Sequence, residues 1–267
     1  MLPLPIPKSY TDNKELLTTH AKIQHRNPAT AEVGYSCTLD ELPPFWTSIQ
    51  ARPWRFTEHR LAKVFLVSQD VPGFPTNTNW SEINDHKEQL VEGYGKLGYK
   101  VELFLDDSKS LLEMLKGRAD HRPVLAHGDE IDGVRCTDRF VSWKEIEDNI
   151  GPTGLAHFMS CWSHDATIDE DDGSYSFRDG LFHAGCTAVI LCCNEGHHFP
   201  GESGTGRIFE IERILWILGR CHEVGLRNAM DDYRTEYCKQ SSLGAICGAF
   251  LTDHDVAAGD PLWGILG

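Results

Sequence analysis

The sequence predicts an α/β fold with a mainly parallel sheet covered by helices on both faces, and three observations carry that prediction. From Ala62 onward, apolar runs of strand length alternate with amphipathic stretches at helical spacing. The apolar runs are nearly continuous, which is the pattern of strands buried on both faces. Hydrophobic residues make up 40% and charged residues 24% of the 267, a balance that lets one chain bury a sizeable core. The simplest division is one domain over residues 61–267, preceded by an extension over residues 1–60.

Each element has its own signal. The extension keeps no sustained period, carries prolines at 3, 5, 7, 28, 43, 44 and 53, and holds one short helical candidate at 13–24. It is either a strap over the core or a regulator of it. Lys63 to Val67 is rich in branched and aromatic residues and runs into turn chemistry with two prolines and a glycine, as a buried strand does. Between Trp80 and Leu97, apolar Ile83, Leu90, Val91, Tyr94 and Leu97 fall on one helical face, and Gly98 supplies the stop. A strand at 99–105, a helix at 108–118 and a strand at 123–126 follow. Ser142 and Glu145 stand at capping-box spacing and open a helix over 142–149. Next come strands at 155–160 and 187–193, helices at 206–222 and 226–237, and an edge strand at 243–251.

Charge and cysteine usage narrow the function. A formal net charge of −15 opposes binding to nucleic acid or to an anionic membrane, both of which need clustered Lys and Arg. It suits a basic partner, or simply keeps the chain soluble. Nine cysteines without a C-x-x-C pair read as reduced thiols, so the expected location is cytoplasmic. The opening MLPLPIPKSY is not a secretory signal, and no apolar run reaches the roughly 18 residues a membrane span needs.

In parallel sheets ligands bind beyond the carboxyl ends of the strands. Two strand ends place reactive groups there: Val124-Leu125-Ala126-His127-Gly128-Asp129 and Ala156-His157-Phe158-Met159-Ser160-Cys161-Trp162. Thiolate attack on a carbonyl needs a sulfur, a base to deprotonate it and donors for the oxyanion. Cys161 supplies the sulfur and His127 the base. Gly128 lets a substrate oxygen approach its N–H closely, and the N–H of Cys161 is the second donor.

The succession of strand, helix, strand, helix, His-Gly strand, helix and Ser-Cys strand resembles the caspase-like cysteine peptidases. Within that group it is most similar to CHAT domains, through residues 177–190 (FRDGLFHAGCTAVI) and 225–234 (GLRNAMDDYR). The resemblance covers about residues 60 to 240. It implies a caspase-like three-layer sandwich and a cysteine endopeptidase with His127 as general acid/base and Cys161 as nucleophile. It also implies no cofactor and no metal, a protein substrate, an activating or regulatory protein partner, and a place in regulated proteolysis such as immune or cell-death pathways. Caspases carry Gln-Ala-Cys-Arg-Gly at the nucleophile, whereas this chain has Met159-Ser160-Cys161-Trp162-Ser163, so a caspase-like demand for Asp is not carried over. A catalytically silent caspase-like binding module is the alternative.

Specificity rests on fewer residues. Asp165, with Asp169 to Asp172, follows the nucleophile, and Glu195 follows the strand at 187–193, where relatives contact the residue before the scissile bond. Carboxylates there favour Arg or Lys. The other reading of 165–173 is a solvated acidic loop. Gly201 to Ile208 mimics a phosphate loop, but Arg207 replaces the Lys and Ile208 the Ser or Thr. Neither His197-His198 with Cys192-Cys193, nor Cys161 with His164, has structural zinc spacing. His157 is expected on the face of its strand opposite Phe158.

Overall fold

The computed structural model describes residues 54–68, 83–170, 173–192, 205–233 and 255–265. Strands β1 (Arg60–Leu66), β2 (Tyr99–Leu105), β3 (Ala119–Leu125), β7 (Thr153–Phe158), β10 (Cys186–Cys192) and β11 (Asp255–Gly259) form one sheet in the order β11-β10-β7-β3-β1-β2. All neighbours are parallel except β11, which runs antiparallel at the edge. The expected helix at 13–24, the expected edge strand at 243–251 and the first half of the phosphate-loop mimic, 201–204, lie outside the described residues. The strand that does close that edge is β11.

Strand alternation separates two cores. Ala62, Val64 and Leu66 of β1, with Leu155 of β7 and Ile190 of β10, pack against α1 (Ile83–Lys96), α5 (Thr205–Val224) and α6 (Leu226–Asp232). Phe65, Ala156, Phe158, Val189 and Leu191 pack on the other face against α2 (Ser108–Leu115), α3 (Trp143–Asn149) and α4 (Phe177–His183). Chain order leaves β1 first toward β2 and then crosses to β3, so the crossovers switch faces beside β1 and β3. His157 stacks near His121 at 5.9 Å while Phe158 meets Phe177 at 5.1 Å, the alternation expected of neighbours on a strand.

Strand β3 starts at Ala119, four residues before the expected start at Pro123, because three polar residues are buried with partners. Asp120 accepts from Trp54 Nε1 and Leu61 N, each at 2.8 Å. His121 Nδ1 lies 2.8 Å from Tyr94 Oη. Arg122 donates to the carbonyls of Met114 and Gly117 and to Thr153 Oγ1. Trp54 is buried, and Arg118 lies 3.7 Å over its ring, so the described end of the N-terminal segment packs into the core.

Helix ends follow local chemistry. Asp107 caps α2 through Ser110 N, and Ser142 caps α3 through Glu145 N, while α2 ends at extended Lys116, before Gly117 at φ +68°. No helix among the described residues is long and apolar enough to cross a membrane.

Candidate active site at the ends of β3 and β7

The two central strands β3 and β7 are neighbours, with Val124 beside Phe158. Beyond β3 the chain turns into a small antiparallel sheet of β4 (His127–Asp129), β5 (Gly133–Arg135) and β6 (Phe140–Val141). His127 is therefore the first residue of a hairpin, paired with β5 and joined through Ala126 to the end of β3. Trp143 fixes the hairpin turn by donating from Nε1 to the carbonyls of Asp129 and Glu130, both at 3.0 Å.

Gly128 gives the closest measure of how the strand ends meet. A Cβ at this position would lie 2.3 Å from the Cys161 carbonyl oxygen, 3.0 Å from Ser160 Cβ and 3.1 Å from Cys161 N. Only a residue without a side chain lets the two backbones approach so closely. Gly128 and Cys161 thus meet at the carboxyl edge of the sheet, with His127 next to Gly128 in the chain.

The turn after Cys161 is strained and tethered. Trp162 has φ +65°, a left-handed conformation that costs a non-glycine residue about 1–2 kcal/mol. The strain persists because the surroundings fix it: Ala166 N donates to Trp162 O at 2.9 Å, and His164 N to Cys192 O at 3.0 Å. Fully buried Ser163 accepts from Cys192 N at 2.8 Å, which ties the turn to the end of β10. Sequence reasoning passed over both Trp162 and Ser163, since neither residue type signals a turn or a tether by itself.

Exposure distinguishes the sulfur. Among the five described cysteines Cys136, Cys186, Cys192 and Cys221 are buried, whereas Cys161 is half-exposed. Burial pushes the Cys136 and Cys186 thiols up to about 12, and raises that of Cys221, so these groups stay protonated and inert at neutral pH.

Of the expected specificity residues, Asp165 sits in the turn beside Cys161, and its Oδ1 lies 3.0 Å from His164 Nδ1. Glu195 lies outside the described residues. Within the acidic stretch, residues 167–170 are a strand and not a loop as one reading held: β8 (Thr167–Glu170) pairs with β9 (Gly173–Ser176), and Ile168 is buried while Asp169 and Glu170 face solvent.

No protein-family model matches the chain, and no curated protein matches it. Among solved structures, its fold is similar to that of the Arg-specific cysteine proteinase gingipain R, with a TM-score of 0.52 and 16% identity over 85% of this chain and 53% of that one. A complex of the pro- and mature domains of that proteinase from Porphyromonas gingivalis aligns at 0.47 with 16% identity, over 81% and 51% of the two chains. A structure of pro-sf-caspase-1 aligns at 0.38 with 16% identity, over 67% and 84%. The chain has a mixed α/β fold with a mainly parallel sheet, similar to that of gingipain R. It spans about half the length of the gingipain chain.

Proposed function

We propose that this chain is a cysteine endopeptidase in which Cys161 is the nucleophile and His127 the general acid/base. The observation that supports the reading is the approach of Gly128, the residue after His127, to the Cys161 backbone and to Ser160 Cβ. The half-exposure of Cys161 among otherwise buried described thiols supports it as well. Fold similarity to cysteine proteinases agrees with the reading but, at 16% identity, does not supply the chemistry.

In this mechanism His127 takes the thiol proton and Sγ of Cys161 attacks the scissile carbonyl carbon. The carbonyl π pair moves to oxygen, and the N–H groups of Gly128 and Cys161 stabilise the oxyanion. Collapse breaks the C–N bond as His127 returns the proton to the leaving amine. Water, deprotonated by His127, then attacks the thioester and releases the acid with the free thiol. Every proton is accounted for between thiol, imidazole, amine and water.

The substrate is a protein cut after a basic residue, with Asp165 and Glu195 as the carboxylates that would receive Arg or Lys. Of the caspase-like group, CHAT domains are the relatives this reading favours, with action in the cytoplasm, in regulated proteolysis under an activating partner.

Iodoacetamide labelling across pH tests the proposal. One cysteine should react well below pH 8, and Cys161→Ala should remove that reaction together with cleavage of a peptide library. If Cys161 reacts no faster than the buried thiols and nothing is cut, the chain is a binding module.

A further inference from the structure

The β4–β6 sheet has two faces of opposite character. Its inner row is Gly128, Val134 and Val141, joined by strand pairing, and both valines are fully buried. Its outer row is His127, Arg135 and Phe140, again joined by pairing and all half-buried. Residues directly opposite on paired antiparallel strands have neighbouring side chains on one face. A guanidinium is therefore the cross-strand neighbour of the imidazole proposed as general acid/base.

That guanidinium is fixed in place yet not neutralised. Its carbon lies 5.0 Å over the Phe140 ring, which orients the plane. Its Nε is buried and has no hydrogen-bond acceptor, and no carboxylate pairs with Arg135 among the described residues. Nearby charges are already engaged: Arg139 forks onto Glu145 at 2.8 and 2.7 Å, and Asp129 Oδ1 accepts from Ile131 N and Asp132 N of the hairpin turn. In a chain with 40 acidic residues against 25 basic ones, an arginine that pairs with no carboxylate among the described residues is open to a carboxylate from outside the chain.

We propose that Arg135 is a specificity-determining residue that binds a carboxylate on the leaving-group side of the scissile bond, so that substrates with Asp or Glu just after the cleaved bond are preferred. The inference rests on the assignment of His127 and Cys161 above. Because the imidazole hands its proton to the leaving amine, it stands next to that amine. Arg135, paired with His127 on the next strand of the hairpin, is thereby placed to meet the residues that leave with it. A planar fork suits a carboxylate, and a charge-assisted pair of this kind is worth about a ten- to hundredfold preference.

The test compares kcat/KM for peptides differing only in Glu, Gln or Lys at the first two positions after the cleaved bond, in wild type, Arg135→Gln and Arg135→Glu. Wild type should prefer Glu over Gln about ten- to hundredfold. Arg135→Gln should abolish the preference, lowering kcat/KM for the Glu peptide about ten- to hundredfold more than for the Gln peptide. Arg135→Glu should turn the preference toward Lys. Equal losses on all three peptides, or a changed labelling rate, would overturn the proposal in favour of a structural or thiol-tuning role. Binding of the same peptides to Cys161→Ala, read by fluorescence anisotropy, separates the two readings. If no peptide is cut but Glu peptides bind Cys161→Ala more tightly than Gln peptides, with the difference lost on adding Arg135→Gln, the carboxylate site stands and the peptidase assignment fails. Equal binding of Glu and Gln peptides overturns the Arg135 site.

Discussion

Gly128→Ala isolates the contact on which the candidate site depends. The added Cβ would fall 2.3 Å from the Cys161 carbonyl oxygen, whereas ordinary contact begins at 3.4 Å, so β4 or the Cys161 turn must give by about 1 Å. The turn is held by Ser163 and by the hydrogen bond from His164 N to Cys192 O, and β4 is held by β5, so neither side moves freely. Overpacking of this kind costs about 1–3 kcal/mol, and Ala returns about 0.5–1 kcal/mol through lower backbone entropy in the unfolded chain. The expected net loss of stability is thus about 0–2.5 kcal/mol. A displacement of about 1 Å at reacting atoms costs roughly a hundredfold in rate. kcat/KM of the folded variant should therefore fall by about two orders of magnitude, far more than its stability loss explains. Peptide cleavage and urea unfolding on the same preparation give both numbers. Gly95→Ala is the control: on α1 it meets nothing within 4 Å and should add about 0.5–1 kcal/mol with unchanged activity. Near wild-type kcat/KM in Gly128→Ala would refute the claim that these strand ends form one reactive site.

Three further outcomes are expected. Ser163→Ala leaves Cys192 N without its acceptor, so it should cost about 1–3 kcal/mol in thermal unfolding and lower kcat more than it raises KM. Asp120→Ala removes the acceptor of both Trp54 Nε1 and Leu61 N and should lose about 2–4 kcal/mol by urea unfolding, with cleavage by the remaining folded protein unaltered. His121 is buried, which depresses its pKa from 6.5 to about 3. Between those values the unfolded chain binds a proton that the native chain does not, so stability is intact above pH 6.5 and declines as pH falls toward 3. This group alone should account for about 2 kcal/mol at pH 5, and His121→Gln should flatten that part of the pH–stability curve.

Much of the architecture was legible because burial writes itself into the residue pattern. Tyr99 to Leu105 is a strand at its expected bounds, and the helix announced by Ser142 and Glu145 begins where its cap stands. The polar start of β3 was not legible. Asp120, His121 and Arg122 look like loop residues until Trp54, Tyr94 and Thr153 arrive from distant parts of the chain to satisfy them. The acidic stretch after Cys161 likewise hid a hairpin, because one buried Ile168 is too little alternation to signal a strand.

The same division holds at the candidate site. Sequence alone determined the strand ends that carry His127 and Cys161, because an apolar run stops where a strand leaves the core, and local pattern records that exit. Only tertiary structure decided that β3 and β7 are neighbours, that Gly128 packs on the Cys161 backbone, and that Arg135 stands across from His127. Strand order and cross-strand register arise from contacts between residues far apart in the chain. A single sequence carries no local mark of them.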